Sequence, residues 1–267
     1  MTSPKIATFH NRGTRFYEHP TKDLQVPGVT SVLNMLPKGY LKFWAAKLVA
    51  ESAVEMTETG ELAMMVKRDP DGAVDYLKRA PDRNTKKAAD AGSSAHSLFE
   101  LRATGQPIGE VTDSIRPFLE HFDDFLETVQ PEFDYVEETV WSEKHSYAGS
   151  LDFIARIQGE VCIGDNKTTR SGVHDEVALQ LAAYKHADYI VGEDGEANLL
   201  PDIVRGVVVH VRPEGWALYE VPVTEDVFGY FLALREVWNW DRLSGRKKDP
   251  IPRQLLAGAA KQGTVIS

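Results

Sequence analysis

Asp165 and Lys167 stand two residues apart at the end of the largely apolar run SLDFIARIQGEVCIGDNKTT, residues 150–169. Side chains alternate faces along a strand, so this spacing aims both at one side and Asn166 at the other. Gln158-Gly159-Glu160 reads as a tight turn, which folds the run into a hairpin and places Asp152 roughly opposite Asp165–Asn166. Two carboxylates converging at a strand end form a hard-oxygen site of the kind Mg²⁺ or Mn²⁺ prefers. An ammonium beside them can orient a water or stabilise charge on a phosphate. Of the fifteen lysines, only Lys167 has an acid two positions before it, so the triplet occurs once in the chain. A strand that simply exits to water would also end in polar residues. Phe153, Ile154, Val161 and Ile163 argue for a largely buried hairpin instead. An unpaired carboxylate there costs on the order of several kcal/mol, and a cation would offset that cost.

Other residues could complete such a site. Gln180 and Tyr184 are four apart on a predicted helix that follows Lys167, so they share a face that can look back onto it. His96 and Glu100 are four apart within AGSSAHSLFE, where an imidazole and a carboxylate on one face could join a metal shell. An ordinary helix surface and a satisfied core histidine are the competing readings. Gly92, before His96, permits close approach by another segment or only weakens its helix. Basic residues cluster at Lys78, Arg79, Arg83, Lys86 and Lys87, against Asp82 alone, and Arg170 lies just past the triplet. Lys38, Lys42 and Lys47 border Tyr40, Phe43 and Trp44. Such clusters suit a phosphate backbone with bases to stack on, or are exposed charged helices.

Stepping outward, these residues need strands held against helices. Residues 1–27 read as an extended or hairpin segment broken at Pro20 and Pro27. Helical periodicity covers 28–36 and the stripe Leu41, Trp44, Ala45, Leu48, Val49, then Asp71–Lys78, a longer helix from about Asn84 to Gly105, and Ser114–Val129. From Phe133 the period changes to two. Strands are expected at 133–141, 147–157 and 161–167, then a helix of about five turns from His174 to Gly192. A hairpin follows across Pro213-Glu214-Gly215, then a last helix N-capped by Thr224 and running to about Leu243. This order predicts an α/β fold: a mixed β-sheet flanked by helices with an N-terminal helical extension. The expected organisation is an N-terminal segment and helical region, 1–130, that contributes His96, a core at 131–250, and a tail at 251–267.

The chain has 267 residues and a net charge of −10, which argues at first against a polyanionic partner. Glu110–Glu138 holds ten acids and one base, Arg116, so the remainder carries 30 acids against 29 bases. A nearly neutral body with one solvated acidic helix can still carry a basic face. Cys162 is the single cysteine, which excludes an intrachain disulfide and a four-cysteine metal or iron–sulfur cluster. No run approaches the roughly 18 apolar residues of a membrane span. The N-terminus has no apolar core of a secretory signal, so a cytoplasmic protein is expected.

His96 in GSSAHSLFE, Asp152 in GSLDFIA, Asp165 and Lys167 in IGDNKTT, and Gln180 and Tyr184 in QLAAY stand in the order H…D…(D/E)xK…QxxxY. In this the chain resembles the PD-(D/E)XK nuclease superfamily, in its RecB-like branch with the CRISPR-associated and phage exonucleases. The match covers about 90–190; VPGVTSVLNMLPKGYLKFWAAK is similar to the leading helices of phage-encoded members. The resemblance implies a restriction-endonuclease-like core and Mg²⁺- or Mn²⁺-dependent hydrolysis of DNA phosphodiesters, most readily as an exonuclease in recombination or end processing. It implies metal ligation by His96, Asp152, Asp165 and the Asn166 carbonyl, with Glu100 and Glu138 assisting from outside. Lys167 would position or activate the attacking water. Gln180 and Tyr184 would hold the DNA strand or steady the site, and Arg83, Lys86, Lys87 and Arg170 would contact DNA. A recombination or single-strand-annealing protein is the partner it implies, with a phage-encoded protein acting in the host cytoplasm. Asp165 stands where Glu is commoner; one methylene shorter, it would draw the metal closer to the strand. Absence of the cluster cysteines favours a cluster-free phage or bacterial enzyme. The same core also serves endonucleases, and a silent DNA-binding or scaffold protein could share it, although a silent protein has no need of Asp152, Asp165 and Lys167 together.

Overall fold

The computed structural model describes residues 4–244. The expected tail, 251–267, lies outside them. Three short strands open the chain, β1 (Thr8–Asn11), β2 (Thr14–Glu18) and β3 (Gln25–Pro27). Six helices follow: α1 (Val29–Leu33), α2 (Leu41–Glu58), α3 (Glu61–Arg68), α4 (Pro70–Lys78), α5 (Ala80–Ala103) and α6 (Arg116–Val129). Next come β4 (Glu132–Val136), β5 (Thr139–Ser142), β6 (Tyr147–Ser150), β7 (Phe153–Ile157), β8 (Glu160–Lys167) and α7 (Glu176–Lys185). The chain continues with β9 (Tyr189–Val191), β10 (Ala197–Asn198), β11 (Arg205–Arg212), β12 (Gly215–Val221) and α8 (Glu225–Ser244). The fold is mixed α/β.

The strands form three sheets, ordered β1-β2-β3, β10-β9-β5-β6 and β12-β11-β8-β7-β4. In the largest, β8 and β11 run parallel and the other pairs antiparallel, which makes it the expected mixed sheet. Its two faces are covered separately. Ile154, Ile163 and Val208 pack with α1, α7 and α8. Phe153, Cys162, Val207 and Val209 pack with Ala95 and Phe99 of α5 and with Phe122 and Phe125 of α6. Val29, Val32 and Leu33 belong to the first of these cores, so α1 is packed into the sheet's own interior.

Two expected strands are each broken in two. The 133–141 run divides at Glu137, whose φ of 53° ends the extended conformation, so β4 joins the five-stranded sheet and β5 the four-stranded one. The 147–157 run divides opposite it around Leu151–Asp152, without a residue at positive φ, so β6 joins the four-stranded sheet and β7 the five-stranded one. Alternating apolar residues are the same on either side of such a corner, so the pattern alone does not reveal it. The helix expected at 174–192 is shorter: α7 ends at Lys185, and Tyr189–Val191 pairs with β5 and β10 instead. Its apolar residues, Ile190 and Val191, serve a buried strand, and a short apolar run does not distinguish the two. The hairpin turns as expected, with Ile157 paired to Glu160 across Gln158-Gly159, both at positive φ. Thr224 Oγ1 accepts from the Val227 N–H at 3.4 Å, as its capping role requires.

Candidate metal and phosphodiester site

The two strand corners lie side by side. The Glu137 N–H donates to the Asp152 carbonyl at 2.9 Å, and the Leu151 N–H to the Glu138 carbonyl at 2.9 Å. Here neighbouring strands cross from one sheet to another, and each corner frees a carboxylate from the regular alternation of faces. The β7–β8 pairing then brings Asp152 to the end of β8, where its Oδ2 accepts the Asn166 N–H at 2.6 Å. Expectation and structure agree on that juxtaposition.

His96, on α5, approaches Asp152 from the side of the sheet that packs on Phe99, with Nδ1 3.5 Å from Oδ2. Ligand atoms of His96, Glu137 and Asp152 all lie within 4.8 Å of one another, the only such trio of His, Cys, Asp or Glu among the described residues. Burial holds the His96 imidazole down to about 4, against the opposing pull of Asp165, so it is neutral near pH 7 and has a lone pair to give a cation. Burial pushes the Asp152 carboxyl up, against the opposing field of Lys167.

Asp165 is 2 % exposed and lies on the other face of β8. Its Oδ1 accepts from Gln180 Nε2 at 2.9 Å, and its Oδ2 is 2.7 Å from Lys167 Nζ. Burial raises the Asp165 carboxyl, Lys167 opposes that, and Asp152 adds to it. For Lys167 the largest single influence is burial, which lowers its pKa; Asp165 and Asp152 outweigh it, and the net shift is upward. The ammonium is therefore held charged between two acids. Gln180 Nε2 also donates to Tyr184 Oη at 3.3 Å, which completes the chain Lys167–Asp165–Gln180–Tyr184 along one face.

Several expected roles change. The trio includes Glu137, which the sequence analysis passed over, and not Asp165, whose oxygens face Gln180 and Lys167. Glu138, expected to assist the metal, accepts from Lys5 Nζ at 2.6 Å. The φ of 53° at Glu137 reverses which of the two glutamates faces the site. Glu100 is not in the trio. Tyr184, expected to touch DNA, is 2 % exposed, and its ring fills the space where a side chain at Gly149 would stand, so its part is to support Gln180. Asn166 does turn to the opposite face from Asp165, and its Oδ1 is buried without a hydrogen-bond partner. Its main chain lies near enough to His96 to oppose the lowering of the imidazole by burial.

The expected DNA contacts divide as well. Lys86, Lys87 and Arg170 are exposed. Arg83 is exposed too, but its guanidinium lies 3.9 Å from the Tyr76 ring centroid and Nη1 donates to the Tyr76 carbonyl at 2.7 Å. At Gly92 the approach is made by Thr168, whose Oγ1 would stand 3.4 Å from an added Cβ. This ties α5 to the segment leaving Lys167. Tyr40 stacks parallel to His174, and Lys38 pairs with Glu176 at 3.1 Å, so the start of α2 borders the same segment. His96 and Asp152 stand in the motif order of the sequence, whereas Glu137 belongs to no motif there.

The donor set fits a divalent cation: two carboxylates and an imidazole at ligating separation, with Asp165 behind them. Hard oxygens with one nitrogen suit Mg²⁺ or Mn²⁺. His96, Glu137 and Asp152 would hold the ion, with the Asn166 carbonyl adjacent.

The chain matches no family model and no curated protein. Among solved structures it is similar to one titled "Crystal structure of SSO0001", at 14% identity over 77% of this chain and 76% of that one, with a TM-score of 0.30. At that level the likeness carries no argument. No helix among the described residues is long and apolar enough to cross a membrane.

Proposed function

We propose that this chain is a metal-dependent deoxyribonuclease of PD-(D/E)XK type, acting as an exonuclease on DNA ends. The observation that carries the reading is that Lys167 pairs with buried Asp165 and also feels the charge of Asp152, a member of the His96–Glu137–Asp152 trio. A purely structural ion pair leaves that trio without a purpose. Two carboxylates and an imidazole at ligating separation are a donor set that a divalent cation completes.

A bound Mg²⁺ or Mn²⁺ supplies neutralisation of a phosphate oxygen and a bound water of lowered pKa. The chain's residues do the rest. His96, Glu137 and Asp152 hold the ion. Asp165 and Gln180 orient Lys167, whose ammonium can position the attacking water or follow charge developing on the phosphate. Tyr184 fixes Gln180 from beneath. Lys86, Lys87 and Arg170 offer exposed positive contacts to the backbone on either side. In this reading DNA is the substrate, a recombination or strand-annealing protein is the partner, and the cell interior is the place of action.

The test is digestion of end-labelled linear and closed circular DNA with Mn²⁺. Loss of linear DNA with the circle spared, abolished by a chelator, supports the exonuclease. Cutting of the circle turns the reading to an endonuclease, and inert DNA of both forms turns it to a silent nucleic-acid-binding protein.

A further inference from the structure

A second site lies beside Lys167, on the face of the large sheet that carries Asp165 and Lys167. Lys167 and His210 are register partners on the parallel strands β8 and β11. Neighbouring strands lie about 4.8 Å apart, so the imidazole is the next side chain across the sheet from the ammonium. His210 Nε2 donates to the Thr169 carbonyl at 2.8 Å, which fixes the ring against the segment that leaves Lys167. The Tyr219 ring of β12 lies 6.4 Å from it, tilted by 43°. These two rings, with Arg212, Glu214, Gly215, Trp216 and Ala217, border an open pocket of ≈ 280 Å³.

We propose that this pocket is a stacking subsite for one unpaired base of a nucleic-acid strand whose phosphate lies at Lys167. The subsite rests on the nuclease reading for the phosphate's position. Its size is at the low end for a ligand pocket and suits one planar ring system. His210 is buried and forms a rigid floor, whereas Tyr219 is 47 % exposed and presents its ring to an incoming one. Trp216, the other aromatic of the hairpin, is engaged elsewhere: its Nε1 donates to Asp124 at 2.7 Å and its ring packs edge-on against Phe125. Arg212 sits at the rim, where its pairing with Glu214 at 3.1 Å is exposed and exchangeable for a phosphate. Base–aromatic stacking needs no particular base, which suits an enzyme that follows a strand whatever its sequence. The larger cavity, ≈ 560 Å³, is excluded by charge: Glu138, Glu193, Asp194 and Glu196 face a single Lys5. Four carboxylates against one ammonium repel a polyanion.

The experiment uses the full chain and a fluorescein-labelled single-stranded oligothymidine, with Ca²⁺ in place of Mn²⁺ so that binding is read without cleavage. Tyr219→Ala should weaken binding by about 5- to 100-fold, the effect of losing one base–aromatic stack. Tyr219→Phe should stay within about 2-fold of wild type. An abasic oligomer of equal length should bind wild type and Tyr219→Ala alike. Arg212→Gln should reduce the slope of log Kd against log salt by about 0.7, one single-strand phosphate contact. Wild-type affinity in Tyr219→Ala, or no binding by the wild-type chain, overturns the subsite. If the wild type cleaves DNA while Tyr219→Ala binds normally, the subsite falls and the nuclease reading stands. If Tyr219-dependent binding is found without any cleavage, the nuclease reading falls and the subsite stands.

Discussion

The β7–β8 hairpin presents its chemistry from a frame closed to water: Ile154, Ile163 and Cys162 are fully buried, and Asp165 nearly so. Helix α5 presents Lys86 and Lys87 from ten consecutive exposed residues, 82–91, and the neighbouring α2, α3 and α4 leave Phe43, Val54, Met64 and Val74 largely in solvent. Both regions border the site, joined where Thr168 meets Gly92. The contrast follows from what each must do. Holding several ligating groups within a few ångströms requires side chains locked by close packing. Meeting a long charged polymer requires cations that stay hydrated and adaptable, and rigid packing would gain nothing. Even α5 obeys the division along its own length, since its later half buries Ala95 and Phe99 and presents His96 from that fixed base.

Substitutions can break that contrast. The largest expected effect is on chemistry: Asp165→Ala and Lys167→Ala should each lower cleavage of linear DNA with Mn²⁺ by about 10³-fold or more, the scale of losing an electrostatic or proton-transfer group. Undiminished cleavage by either variant refutes the assignment. Next comes the frame. An added Cβ at Gly164 would lie 1.9 Å from Phe153 Cζ. Gly164→Ala should therefore destabilise by about 2–3 kcal/mol, lowering Tm by roughly 5–10 °C. In the arm, Val74→Ala should change stability by less than about 0.5 kcal/mol. Equal melting of the two would remove the distinction.

A smaller effect has the opposite sign. Burial raises the Asp152 carboxyl above its unfolded value, so between the two pKa values the native chain binds more protons than the unfolded one. Stability is lost as pH rises through that window. Without metal, Asp152→Asn should be more stable than wild type at pH 8 and equal to it below about pH 4. Melting in a chelator at both pH values checks this, and added Mn²⁺ should raise the Tm of wild type more than that of the variant. The smallest effect belongs to the arm. Replacing Lys86 and Lys87 together by Ala should leave Tm unchanged, weaken DNA binding a few-fold and flatten its salt dependence by up to about two phosphates' worth. A salt slope equal to wild type would mean that DNA does not pass along α5.

Much of the site can be read along the chain, because local rules suffice within an unbroken element. A period of two puts Asp165 and Lys167 on one face, and they are 2.7 Å apart. A two-residue turn at Gln158-Gly159 sets the register that delivers Asp152 to the Asn166 N–H. A four-residue helical spacing lets Gln180 reach both Asp165 and Tyr184. What the chain alone could not decide lies where an element breaks. The corner at Glu137 shifts the alternation of faces by one residue, so Glu137 turns to His96 and Glu138 to Lys5. With the break at Leu151–Asp152 beside it, it sends two expected strands into two sheets each. Whether Tyr184 meets solvent or fills the space above Gly149 likewise depends on a strand 35 residues away. Periodicity carries information only along continuous backbone geometry; a residue at positive φ resets it, and only packing between distant segments determines where that reset falls.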